Sequence, residues 1–198
     1  MSTAQIERAQ AARLPEDDVV GILLTQHARI RDLFAAVRNG PAERRQERFD
    51  QLRMVLAVHE TAEEMVVRPR TKELVGEREA EARNEEEKEA TKVLSELERL
   101  DVDSERFRTL LDEFEESVSE HADREEREEF TVLRRVYDQE QRSRLGKRLL
   151  AVEKVAPTHP HPATAGSRTA QWAVGPFASL VDRARDAVNS TRGPNDDY

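Results

Sequence analysis

Apolar residues recur along this chain at intervals of three and four, the period of one face of an α-helix. A first run carries Val20, Leu23, Leu24, Ile30, Phe34 and Val37. It opens after Pro15-Glu16-Asp17-Asp18, a proline-and-acid start, and closes at Asn39-Gly40-Pro41, where glycine suits a helix end. A second run, from Pro41 to about Val75, carries Phe49, Leu52, Val55, Leu56, Ala62 and Val66. Pro69 lies inside it. Proline lacks the amide donor and clashes with the preceding turn, so a break is expected near Val67–Pro69. Gly76 offers a stop. A third run over about 77–100 carries Ala80, Ala90, Val93, Leu94 and Leu97. Asp101-Val102-Asp103-Ser104 reads as a turn ending in an N-cap. A fourth run over about 104–137 carries Phe107, Leu110, Leu111, Phe114, Val118, Phe130, Leu133 and Val136, and a shorter fifth helix is expected over about 138–154. No strand-like alternation of useful length occurs. Four long amphipathic helices with short connections predict an all-α fold, an up-down-up-down four-helix bundle with a short extra helix.

The ends read differently. Residues 1–14 are expected to be a flexible N-terminus, and 15–155 to form the bundle. Residues 156–166, Ala-Pro-Thr-His-Pro-His-Pro-Ala-Thr-Ala-Gly, read as an extended Pro-rich linker. Beyond it, Phe177, Leu180, Val181, Ala184 and Val188 recur at helical spacing. They predict a short amphipathic helix in an otherwise extended C-terminal tail.

The residues that interrupt the apolar stripes change the picture. His27 falls between Leu24 and Ile30 on the first helix. On the second, His59 and Glu63 follow Leu52 and Leu56. On the fourth, His121 and Glu125 follow Phe114 and Val118. Both pairs are four apart and so project from one side of their helix, one turn apart. Projecting the third stripe back through Leu97, Leu94 and Ala90 reaches Glu87. Each residue alone has an ordinary reading. A single core histidine is usually hydrogen-bonded, and Glu87 sits in the run Glu85-Glu86-Glu87, which reads as a solvated face. Together they would bring three imidazoles and three carboxylates to one height of a bundle core. Burying ionisable groups is costly unless they are paired or bind a cation. Imidazole and carboxylate without thiolate suit iron, manganese or zinc.

These segments resemble a known family. LLTQHARIRDLF, HETAEEMVVRP and SEHADREEREEFTVLR are similar to the leading His helix and the two His-x-x-x-Glu helices of bacterial hemerythrin-like proteins, the HHE cation-binding family. The resemblance covers about residues 19–137. It implies a non-haem di-iron centre with His27, His59, Glu63, His121 and Glu125 as ligands and the glutamates as bridges. The third helix departs from the pattern: Glu87, in Glu85-Glu86-Glu87-Lys88-Glu89-Ala90, stands where the family has a histidine. Either Glu87 replaces that imidazole as a ligand, or it faces water and five ligands remain. Harder, anionic ligands would favour the oxidised metal, and with it reduction of peroxide or oxygen (a catalase-like activity) over reversible carriage.

The resemblance thus implies two iron ions and a small ligand: oxygen, peroxide or nitric oxide. Two other readings are open. One is a metal-sequestering or sensing protein whose tail serves as output through a protein partner. The other is a metal-free structural bundle. Composition narrows the rest. The chain has 198 residues, 41 acidic and 32 basic, a net charge of −9, and no cysteine. Absence of cysteine excludes disulfide scaffolds, thiolate metal sites and cysteine nucleophiles. The acidic balance argues against nucleic-acid binding, which needs a surplus of cations to displace counterions. No apolar run approaches the roughly 18 residues of a membrane span. The N-terminus lacks the apolar core of a signal peptide, so a cytoplasmic location is expected.

Overall fold

The structure, a computed structural model, describes residues 1–154 and 156. The side chains at positions 75, 77, 79, 80, 84 and 87 fall outside that description. So do the linker and amphipathic helix expected beyond residue 156.

Helix α2 (Val19–Asn39) starts where the sequence places it. The Asp18 carboxylate accepts the Val20 amide at 3.0 Å, satisfying a donor with no partner inside the helix. Helix α3 (Arg45–Val66) follows a single turn of 3₁₀-helix (Ala42–Arg44) and stops where Pro69 forbids its continuation. The chain resumes as α4 (Arg68–Val75), with the proline in its first turn, where a missing amide costs nothing. Gly76, at φ 105°, supplies the left-handed turn into α5 (Glu77–Leu97). Helix α6 (Glu105–Glu125) is capped by Ser104, whose hydroxyl accepts the Phe107 amide at 3.1 Å.

The fourth helix is not the single α-helix expected over 104–137. A π-turn, Glu126–Phe130, follows α6, and α7 (Thr131–Val136) completes the rod. Val136, expected on the apolar stripe, is the exposed last residue of α7. The expected fifth helix is α8 (Gln139–Glu153), opened by a capping box between Asp138 and Gln141. Residues 1–14, expected to be flexible, instead contain helix α1 (Thr3–Ala11). Ser2 and Gln5 cap each other reciprocally, and Ala4 and Glu7 are buried where α1 packs on α2. The Ser-x-x-Gln spacing is the signal that marks this helix.

Among the described residues every regular element is helical. The four rods, α2, α3–α4, α5 and α6–α7, make the up-down-up-down bundle, with α1 and α8 packed on its outside. The core falls into two clusters. One joins Phe34, Leu52, Leu56, Leu97, Leu111 and Phe114 with the edge-to-face pair Phe49 and Phe107, 5.0 Å apart. The other joins Leu23, Leu24, Ala62, Val66, Phe130, Leu133 and Leu149. The rods α2, α3–α4 and α6–α7 each pass from one cluster to the other, and the polar residues sit at the crossing: His27 between Leu24 and Ile30, His59 between Leu56 and Ala62, His121 and Glu125 between Phe114 and Phe130.

Candidate metal centre

The bundle brings five of the sequence-predicted site residues together. His27, His59, Glu63, His121 and Glu125 are each at most 8 % exposed. The His27 and His59 rings lie 5.1 Å apart, edge to face. His59 Nε2 is 3.6 Å from Glu63 Oε2, and His27 Nε2 is 3.6 Å from Glu125 Oε2. His121 Nε2 is 3.2 Å from Glu125 Oε1, without hydrogen-bond geometry. Glu87 lies on α5, and its side chain is outside the described residues.

All three imidazoles are held in the same way. Nδ1 of His27 is 2.9 Å from a Glu126 oxygen, Nδ1 of His59 is 2.7 Å from Gln26 Oε1, and Nδ1 of His121 is 2.9 Å from a Glu86 oxygen. Each partner atom can only accept, so each Nδ1 must donate. In the neutral ring that leaves the Nε2 lone pair facing the centre. Hydrogen-bonded outer nitrogens of this kind orient metal-ligating histidines and raise their basicity. Gln26 is itself fixed, because its amide nitrogen donates to Glu153 on α8. The π-turn supplies two further groups. It lets Glu125, Glu126, Glu129 and Phe130 all face inward, with Phe130 stacked on His27 at 5.5 Å. π-turns frequently mark functional sites.

Sequence reasoning missed Glu60. Its Oε2 is buried beside the centre, and Glu60, Glu63 and His121 offer one ligand atom each within 4.8 Å of one another. His27, His59, Glu63 and Glu125 form a second such group, all four buried. The two groups share Glu63. It missed Arg68 as well, a buried guanidinium at the start of α4. Arg68 donates to Glu125 Oε1 at 3.0 Å and to Glu129 Oε1 at 2.9 Å.

The electrostatics match a cation site. His27 Nε2, His121 Nε2, Glu60 Oε2, Glu125 Oε2 and both Glu63 oxygens are buried without a hydrogen-bond partner among the described residues. Desolvation, then the charge of Glu125, pushes the Glu63 carboxyl well above the usual range. Desolvation also raises Glu60. Desolvation and the neighbouring His27 push His59 down to about 3. Desolvation pulls His121 down too, but the charge of the adjacent Glu125 carboxylate and the hydrogen bond to Glu86 outweigh it and raise His121 well above the ordinary range. Glu125 is the converse: burial opposes its charge, and His121 with Arg68 holds it below the carboxylate range. Unpartnered donor atoms of imidazole and carboxylate in a dry core fit a first-row metal.

The comparison with known proteins agrees with this geometry. The hemerythrin HHE cation-binding domain matches residues 18–133, more than half of the chain. The chain belongs to the hemerythrin HHE cation-binding family. An uncharacterized hemerythrin-like protein of Schizosaccharomyces pombe is 28% identical over 136 residues, which is 67% of this chain and 67% of that protein. No solved structure matches the chain. The matched region begins at the α2 cap and ends at Leu133, so it encloses all of the centre and leaves α1 and α8 outside. Among the described residues no helix is long and apolar enough to cross a membrane.

Proposed function

We propose that this hemerythrin-like domain is a non-haem di-iron protein that binds or reacts with oxygen, peroxide or nitric oxide. The observation that carries the reading is the pair of ligand groups, His27/His59/Glu63/Glu125 and Glu60/Glu63/His121, meeting at Glu63. Two cations held by these groups would account for three inward acids, Glu60, Glu63 and Glu125, and three inward imidazoles. Glu87, on the helix where the family has a histidine, is carried as a further ligand of this centre. When bound, the iron pair supplies the redox chemistry toward the small ligand.

The chain's own residues hold and enclose that chemistry. Glu126, Gln26 and Glu86 fix the three rings. Ile30, Phe34, Leu56 and Val118 line a pocket together with His27, His59 and His121, giving a diatomic ligand an apolar approach. Phe114 backs Phe34 at 5.6 Å. Arg31, Glu60 and Ser119 are further polar members of the same lining. The carboxylate-rich donor set favours the oxidised metal and therefore reduction of peroxide or oxygen over reversible carriage.

The test is anaerobic loading with ferrous iron, followed by separate exposure to oxygen, hydrogen peroxide and nitric oxide. New visible absorption with at least one of them is expected. Loaded protein whose spectrum responds to none of the three would contradict the reading. Glu87→Ala is expected to lower iron occupancy or alter that spectrum, and an unchanged spectrum removes Glu87 from the ligand set.

A further inference from the structure

Arg31 stands four residues after His27 on α2, so the two side chains share a face of that helix. Both line the pocket over the centre. Among the described residues of that lining, Arg31 is the one guanidinium. Two carboxylates fix it. Its Nε donates to Glu7 Oε1 at 2.7 Å, and its Nη2 donates to Asp123 Oδ1 at 2.7 Å. Asp123, on α6, is half-exposed. Glu7 is only 1 % exposed and comes from α1, outside the matched domain. Nη1 of Arg31 makes no hydrogen bond among the described residues, so its two N–H donors remain for a ligand. A donor held by two partners keeps its place when a ligand arrives, and little reorganisation is needed.

We infer that Arg31 is a specificity-determining residue that favours a small anion, hydroperoxide, in this pocket over the neutral gases oxygen and nitric oxide, and that Glu7 of α1 positions it. This rests on the small-ligand reading above and narrows it. The apolar walls by themselves favour the neutral gases, because an anion loses its hydration against Ile30, Phe34, Leu56 and Val118. Glu60, in the same lining, opposes an anion as well. A guanidinium reverses the preference. It attracts the anion and gives it a charge-assisted hydrogen bond, which an uncharged diatomic molecule accepts only weakly. Of the two carboxylates that hold Arg31, Asp123 is in contact with water, which screens its pair. Glu7 is dry, so its bond is the stronger hold. Helix α1 is thereby part of the ligand site, although it carries no residue of the metal centre.

Spectrophotometric titration of the iron-loaded full chain with azide, and separately with nitric oxide, tests this. Azide is a small anion at neutral pH, and nitric oxide is uncharged. Arg31→Gln should raise the Kd for azide by about tenfold, the scale of one hydrogen bond from a charged donor, and the Kd for nitric oxide by less than about threefold. Glu7→Gln keeps the size of the side chain but loosens Arg31, and should raise the azide Kd by about threefold with nitric oxide again little changed. The double variant Glu7→Gln/Arg31→Gln removes the buried charges as a pair and carries the same tenfold prediction if Arg31→Gln does not fold. A packing role would move both ligands together or neither, so the ratio of the two Kd values is the readout. A ratio equal to wild type in a folded Arg31 variant would overturn the inference and leave the metal centre intact. Wild-type protein that holds no iron, or holds it and responds to neither ligand, would instead remove the small-ligand reading, and this inference with it.

Discussion

Glu86 on α5 accepts a hydrogen bond from Nδ1 of His121 on α6 at 2.9 Å, and the same carboxylate pairs with Arg83 and Arg124. Desolvation opposes the charge on Glu86, but its bond to His121 and the nearby guanidinium of Arg83 outweigh it and hold Glu86 ionised below its ordinary range. The third helix thus reaches the centre through the ring it orients. Glu86→Ala is expected to leave the fold intact and to weaken metal binding by about 10–100-fold, the usual cost of losing such a partner. Competition titration against a chelator measures it. An affinity equal to wild type would mean that His121 needs no partner.

Metal binding should release protons. Glu63 and His121 both have raised pKa values, so each holds its proton more tightly than an ordinary glutamate or histidine. Coordination requires both to be bare. Affinity therefore falls as pH falls through those raised values, by about tenfold per pH unit for each proton displaced. His59, held near 3, is already neutral at pH 6 and adds nothing to this dependence. Calorimetry at pH 6 in buffers of different ionisation enthalpy reads the release directly. Binding heats that do not depend on the buffer would contradict it.

Stability away from the centre rests on the cluster around Phe49 and Phe107, whose rings meet edge to face. Phe49→Ala should cost about 3–5 kcal/mol in the metal-free protein by leaving a cavity in that cluster. The number of metal ions bound per chain should not change in the folded variant. Denaturant unfolding and metal analysis together check both halves, and altered stoichiometry would show that the two core clusters are coupled through the centre.

Gly146 packs α8 tightly against the start of α2. A Cβ there would overlap the Asp17 carbonyl oxygen and press on Ile22. Gly146→Ala is expected to destabilise by about 1–3 kcal/mol through overpacking. It should also disturb His59, because α8 reaches that ring through Glu153 and Gln26. Nuclear magnetic resonance of the histidine rings reads the second effect, and an unmoved His59 signal would show α8 to be structural only.

Much of the bundle was legible in the sequence because its long helices are amphipathic and their stops are chemically explicit at Gly40, Pro69 and Gly76. His59 with Glu63 and His121 with Glu125 were legible because four-residue spacing fixes a common face. Glu60 was not, since it lies off that line and reaches the centre through the length of its side chain. Gln26, Glu86 and Glu126 each flank a ligand line and orient a ring on a neighbouring helix, a relation that exists only across the packed interface. The π-turn hid Glu126 and Glu129 from a 3.6-residue period. The offset from Glu125 to Phe130, five residues between inward positions, is its trace in the sequence. Arg68 was read only as the neighbour of a helix-breaking proline, and the break is what turns it inward.

Iron content per chain after anaerobic loading and desalting tests the central claim most directly. About two irons per wild-type chain are predicted, falling sharply in Glu63→Ala, which removes the carboxylate common to both ligand groups. A folded wild-type chain that retains no iron, or a Glu63→Ala chain that retains as much as wild type, would contradict it.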